Sequence, residues 1–286
     1  MPIDEREYYR VRDIFIKNPD RIVTLEKSYM EFLLKTTLDA ADDLFNDFAS
    51  AADLVAFWIN YVPKQRGRKP KGTSIPWIEV GEKSLSFNLL KSICKAKPSI
   101  TFPGIPFGGD VRFATDDAFI HCDIKLTGPN DNPDELVVPP QQVSGDGIRW
   151  DGKAINSPFK VIGPRAQMLF QPKLPAFYIL NSKVLPCLTY FLKGVYTVEE
   201  WGVQPLNYVE LICVPNGLLL FDSAHPAAIP GLFIPGKDVK SKALGDKRTR
   251  IRLGPLASST GSWRCMKIKR LEKGWQVVPR CLPGTR

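Results

Sequence analysis

Histidine is almost missing from this chain: two residues in 286, His121 and His225, stand far apart in sequence. A nuclease working through paired histidines, or a hydrolase built on a Ser-His-Asp relay, finds little support in that composition. No Cys-x-x-Cys pair occurs among the six cysteines, Cys94, Cys122, Cys187, Cys213, Cys265 and Cys281. Without clustered ligands a structural zinc site is not expected, and free buried thiols in a cytoplasmic protein are the expected state. No apolar run approaches the roughly 18 residues of a membrane span. Residues 1–12 are charged throughout and do not resemble a secretory leader. Internal repeats and low-complexity stretches are absent from the sequence as well.

What is present is basic charge: 39 Lys and Arg against 30 Asp and Glu, a net +9. An excess of this size suits an anionic partner, nucleic acid being the commonest, although charge alone does not separate that from an incidentally basic protein. Residues 24–61 read as helical, with Tyr29, Phe32, Leu33, Leu38, Leu44, Phe45 and Phe48 at three- and four-residue steps. A second helix opens at Ser74 and Pro76 and buries Trp77, Val80, Leu85, Leu89, Leu90 and Ile93. The connection between the two, 64–72, holds Lys64, Arg66, Arg68, Lys69 and Lys71 and no apolar residue, as either a solvated loop or a phosphate-contacting one. After Pro98 short β-rich runs take over, at 118–125, 135–138, 176–180, 187–192, 208–214, 218–221, 249–253, 264–268 and 275–278. Two long loops, 128–158 and 221–248, are of the length that carries function or disorder. Helices first and strands later predict an α/β chain with a mixed central β-sheet flanked by helices. We expect one domain over 1–286, mainly helical in 1–97, with a sheet and loops in 98–286.

The chemistry concentrates in Asp110 and in the run His121-Cys-Asp123-Ile-Lys125. Alternate side chains of a strand share a face, so Asp123 and Lys125 project together while Cys122 and Ile124 turn into a core. Asp110 lies thirteen residues upstream, enough for a turn and a return that brings the two carboxylates together. Two carboxylates can hold Mg²⁺, a hard ion that favours oxygen, and an adjacent ammonium can orient a water and offset charge on a phosphate under attack. By itself an Asp-x-Lys pattern is common, and an exposed charge pair on a strand explains it as well.

Longer blocks narrow the choice. The segment 57–83, ending Ile75-Pro-Trp-Ile-Glu-Val-Gly-Glu-Lys83, together with Gln142-Val-Ser-Gly145, Ile162-Gly-Pro-Arg165, Val214-Pro-Asn-Gly217 and Pro235-Gly-Lys-Asp238, resembles the BglI family of type II restriction endonucleases. These blocks run in the same order from about Phe57 to Leu253, and the resemblance does not extend to the first 50 residues or the tail. It implies the PD-(D/E)xK nuclease fold and Mg²⁺-dependent cleavage of both DNA strands by a homodimer in a prokaryotic cytoplasm. The catalytic residues it implies are Asp110, Asp123, Lys125 and, on the preceding helix, Glu82, with Asp110, Asp123 and Ile124 at the metal. Glu79 shares the helix face of Glu82. Two departures stand out: the gap between the aspartates is shorter, and Gly109 replaces the family's usual proline, so Asp116 and Asp117 compete with Asp110 as the first acid.

By the same resemblance Lys237 and Arg248 match residues that recognise guanines, and the family's targets are interrupted GC-rich palindromes. Val239 stands where the family has a second acid, and Asp238 is its nearest substitute. Around them Lys240, Lys242 and Lys247 are expected at phosphates, with a mobile solvated loop as the alternative reading. Gly231-Leu-Phe-Ile-Pro-Gly236-Lys237 mimics a nucleotide-binding loop, but Asp238 occupies the Ser/Thr place and Pro235 removes an amide donor, so no nucleotide cofactor is expected. The basic and aromatic stretch 263–270 suits either phosphate contact or a strand with a charged outer face. His121 shares the face of Asp123 and is placed either near the metal or in a structural role. The expected function is a sequence-specific type II restriction endonuclease. The alternatives are a structure-specific repair or recombination nuclease of the same fold, and a DNA-binding protein that has lost catalysis.

Overall fold

In the computed structural model, apolar residues at helical spacing form the first layer. The structure describes residues 5–50, 53, 77–97, 99–105, 108–148, 150, 156–199, 204–222, 229–240 and 246–280, with the backbone alone at 77–80 and 240. Helix α1 (Glu5–Lys17) buries Tyr8 and Phe15, two turns apart. Helix α2 (Asp20–Asp39) buries Ile22, Glu26, Tyr29, Met30 and Leu33, and α3 (Ala41–Ser50) buries Leu44, Phe45 and Phe48. The single helix expected over 24–61 is therefore two helices within the described residues. Ala40 leaves the helical region at φ −100° and ψ 1°, although the apolar spacing runs across it unbroken. Helix α4 (Trp77–Ala96) buries Leu85, Leu89 and Ile93 along one stripe. Its expected start at Ser74 and Pro76 lies outside the described residues, while Leu90, one position off the stripe, is only partly buried.

The strands follow in the order β1 (Val111–Ala114), β2 (Phe119–Thr127), β3 (Glu135–Val138), β4 (Phe159–Ile162), β5 (Gln167–Phe170), β6 (Phe177–Leu180), β7 (Lys183–Tyr196) and β8 (Leu206–Val214). Helix α5 (Gly217–Phe221), β9 (Phe233–Pro235), β10 (Thr249–Arg252), α6 (Leu253–Thr260), β11 (Cys265–Arg270) and β12 (Trp275–Pro279) complete the chain. Among the described residues the central sheet has seven strands, ordered β1-β2-β7-β8-β11-β12 with β6 also on β7. It is mixed: β2 and β7 run parallel, and its other pairs are antiparallel. A smaller sheet, β3-β10-β9, and the β4–β5 hairpin flank it.

Where the sequence reading and the structure differ, local chemistry explains the difference. The run 218–221, expected as a strand, is helix α5: the Asn216 side chain caps it by accepting from the Leu218 amide at 2.9 Å. That side chain also donates to the carbonyls of Ala176 and Cys187, so it locks the helix start onto the sheet. Three consecutive leucines carry no period by which to tell helix from strand. Strands β1, β4, β5 and β9, three or four residues each, were not expected. Strand β7 extends well beyond 187–192 because Lys193, which reads as a surface residue, is buried. Its ammonium donates to the carbonyls of Pro133 (2.6 Å) and Glu135 (3.0 Å), tying the start of β3 to the central sheet. Burial pulls the pKa of this lysine down to about 8.

Two ion pairs lie buried among the described residues. Glu26 of α2 meets Arg264 at 2.6 Å with both side chains almost fully enclosed, and Glu26 also accepts from the Asn216 amide at 2.7 Å. Arg280 pairs with Glu210 at 2.5 Å. The basic stretch 263–270 is thus largely spent on internal contacts: Arg264 on Glu26, Lys267 over the Tyr208 ring, Arg270 on Asp42 and Asn46. Cys122, Cys187, Cys213 and Cys265 are buried and free, Cys94 is exposed, and Cys281 lies outside the described residues. Among the described residues no helix is long and apolar enough to cross a membrane.

Candidate active site and DNA-facing cleft

The candidate centre is built on the β1–β2 hairpin. Val111 pairs with Cys122, which makes Asp110 and Asp123 cross-strand neighbours one step further along. An Asp110 carboxylate oxygen accepts from the Ile124 amide at 2.9 Å, fixing the acid against β2. The rivals fall at the other end of the hairpin. Asp116 pairs with Lys183, and Asp117 accepts from the hydroxyls of Tyr29 and Thr115.

Gly109 explains the absent proline. A Cβ there would come within 2.8 Å of the Cys122 carbonyl carbon, so the chain lies directly on the β2 backbone. Its neighbour Gly108 has φ +102°, open to glycine and strained for other residues. The Gly109 amide donates to Nδ1 of His121 at 3.2 Å, and Nε2 of the same ring meets the Tyr178 hydroxyl at 3.0 Å. Burial and Arg112 pull the pKa of His121 down to about 3, so the ring is neutral, with both nitrogens committed. His121 is an anchor for the Gly-Gly approach to Asp110.

Asp123 is 4% exposed. One of its oxygens accepts from the Gln142 side-chain amide at 2.5 Å. The other stands 2.5 Å from the Lys125 ammonium as an ion pair. Burial, with Asp110 adding to it, pushes the Asp123 carboxyl up to about 6 against the pull of Lys125. Glu82 reaches the same field from α4. That helix packs closely, since a Cβ on Gly81 would meet the Phe48 ring at 2.4 Å and the Leu126 side chain at 2.6 Å. Burial pushes the half-buried Glu82 up to about 7; Asp110 and Asp123 add to this and Lys125 opposes it. The side chain of Glu79 lies outside the described residues. Ile124 has an apolar, buried side chain, so only its carbonyl is a possible ligand.

Glu82 and Lys125 line a cleft of about 600 Å³ whose other wall carries Lys237, Arg248 and Arg250. Candidates for cleavage and for base reading, more than a hundred residues apart in sequence, thus share one opening. Arg248 pairs with Asp238 at 2.9 Å, Lys237 lies 3.7 Å from Asp131, and Arg250 pairs with Glu135 at 2.5 Å. Lys247 is half-buried. Lys64, Arg66, Arg68, Lys69, Lys71 and Lys242, and the side chain of Lys240, lie outside the described residues.

The family model for restriction endonuclease BglI matches residues 4–268. The chain belongs to the BglI restriction endonuclease family. It is a type II restriction enzyme, a site-specific deoxyribonuclease. The type II restriction enzyme BglI of Bacillus subtilis is 34% identical over 260 residues, covering 82% of this chain and 87% of the relative. The crystal structure of restriction endonuclease BglI bound to its DNA recognition sequence superposes with a TM-score of 0.78 at 33% identity, covering 92% of this chain and 95% of that one. The tetrameric restriction endonuclease SfiI bound to cognate DNA shares the fold, with a TM-score of 0.56 at 13% identity over the same shares. The family match reaches into α1–α3 and through most of β11. This corrects the narrower span of 57–253, because the N-terminal helices keep their buried stripe while their surface residues carry no motif.

For this restriction enzyme, Gln142 is the contact that sequence reasoning left without a role. It heads the Gln-Val-Ser-Gly block, and a side-chain amide suggests no metal chemistry. Gly109→Ala tests the hairpin approach. The added methyl pushes Asp110 off β2, and cleavage falls on the order of a hundredfold with the fold retained. Plasmid-cleavage rates beside a circular dichroism melt measure this, and an unchanged rate refutes the role given to the glycine.

Proposed function

We propose that the enzyme breaks one phosphodiester bond in each strand of an interrupted, GC-rich palindrome, acting as a homodimer with Mg²⁺. The observation that carries this reading is the convergence of Asp110, Asp123 and Lys125 on one face of the β1–β2 hairpin. The donor set fits a hard divalent ion. Asp123 offers a buried carboxylate, Asp110 faces it across the hairpin, and the Ile124 carbonyl is the third candidate. Among the described residues no three His, Cys, Asp or Glu side chains form a metal cage. A site with few protein ligands suits Mg²⁺, which keeps several of its waters. When bound, the ion supplies Lewis acidity and charge neutralisation at the scissile phosphate. Lys125, held by Asp123, orients the attacking water and offsets the charge that grows on the phosphoryl oxygens. Glu82, its carboxyl raised toward neutrality, is placed to hold a proton at the cleft edge.

Two-fold symmetry supports the dimer, because each subunit of a homodimer reads one half of a palindrome. The reading of DNA bases is assigned to Lys237 and Arg248, which line the cleft with Lys125, and to Asp238, the ion-pair partner of Arg248. The solved BglI complex, with its recognition sequence bound, supports duplex DNA as the partner. Residues 1–97 and 98–286 are read as one endonuclease domain, since buried residues of both pack in one core. Plasmid DNA with Mg²⁺ should give discrete fragments, and a chelator should stop the reaction. Sequencing the fragment ends should return one interrupted symmetric site. Cutting at junctions without regard to sequence, or undiminished cutting in chelator, refutes the proposal.

A further inference from the structure

The tip of the β4–β5 hairpin, formed by Ile162-Gly-Pro-Arg165, takes no part in the site above. Its closing bond runs from the Gly163 amide to the Ala166 carbonyl at 2.9 Å. Gly163 sits so close to β9 that a Cβ on it would meet Pro235 at 2.6 Å. Behind the tip the Phe159 ring packs edge-on against Phe233 with centroids 5.2 Å apart. The hairpin is therefore fastened to the strand that leads into Gly236 and Lys237, and its tip cannot drift independently of them.

Arg165 projects from this fixed base. It is exposed and has no hydrogen bond, ion pair or ring contact among the described residues. Its cationic neighbours are engaged: Arg250 by Glu135 and the Pro235 carbonyl, Arg248 by Asp238. Arg165 lines a second cleft of about 530 Å³ that shares Glu135, Lys237 and Arg250 with the catalytic one, so the two are continuous. It does not line the cleft of Lys125 and Glu82, which puts it beyond Lys237 when approached from the cleavage centre. An exposed guanidinium with no internal ion pair to break, on a rigid base at the rim of a DNA-facing groove, suits a phosphate better than a base edge.

We infer that Arg165 is a further DNA-binding residue, gripping a backbone phosphate on the far side of the base-reading segment from the cut. The inference rests on the cleft binding duplex DNA as proposed above. The test is binding of a fluorescent duplex of arbitrary sequence, followed by anisotropy in chelator across a salt series, for the wild type, Arg165→Ala and Arg165→Lys. Each phosphate contact contributes about 0.9 to the slope of log affinity against log salt. Arg165→Ala should lower that slope by about one and weaken low-salt binding roughly five- to tenfold, with the melting temperature unchanged. Arg165→Lys, which keeps the charge, should keep the slope. An unchanged slope and affinity in Arg165→Ala overturns the inference. So does an unchanged slope with relaxed discrimination at the mapped site, which makes Arg165 a base reader. Wild-type binding that ignores salt instead refutes the underlying cleft assignment.

Discussion

Asp123→Ala should abolish cleavage, by at least about a thousandfold, while DNA binding stays within a few-fold of wild type. The substitution removes the carboxylate that pairs with Lys125 and accepts from Gln142, so the ammonium loses the partner that aims it. It also removes a negative charge facing the incoming phosphate, so affinity is expected to hold or rise. Asp123→Asn separates chemistry from packing. It preserves volume and an acceptor for Gln142 but not the charge, and it should be as inactive as the alanine variant. Plasmid-cleavage rates beside anisotropy titrations give both readouts. An asparagine variant that cuts at a rate near wild type would show that another group carries the reaction.

The second large effect is on stability. Glu26→Ala should cost roughly 3–5 kcal/mol, because it leaves the enclosed Arg264 guanidinium without its counter-charge. The Asn216 amide loses its acceptor in the same stroke. The pair joins α2 to the start of β11, and Asn216 joins both to α5, so the loss should unfold the chain as a unit. Urea unfolding of the single variant and of the Glu26→Leu, Arg264→Met double variant measures it. The double variant, with no unpaired charge left inside, should recover most of the lost stability. A single variant within about 1 kcal/mol of wild type would mean that water reaches Arg264.

Strand β2 was legible because its alternation is clean: Cys122 and Ile124 face the core while Asp123 and Lys125 share the other side. The pairing of Asp110 with Asp123 was legible only as a possibility, because four-residue β1 carries Arg112 in its middle and reads as loop. Asp110 was favoured over Asp116 and Asp117 from its Gly-Asp-Val-Arg-Phe surround, and the hairpin register sets it, unlike them, across from Asp123. Leu85, Leu89 and Ile93 announced α4, whereas the break at Ala40 left no mark in the apolar spacing. Gln142 and His121 act on the site through contacts that only the folded chain creates. The basic stretch 263–270 stayed open between phosphate contact and a strand with a charged outer face because sequence does not show that Arg264 faces inward.

The enclosed ammonium of Lys193 has one more implication. It sits beside Lys125 in the parallel β2–β7 register and grips the two carbonyls that flank the entry to β3. Strand β3 pairs with β10, which starts directly after Arg248 and carries Arg250. The side chains proposed to read bases and those proposed to cut thus hang from one rigid frame, like marks on a ruler. The distance along the helix from a recognised base to the broken bond is then a dimension of the fold, the same at every site the enzyme accepts.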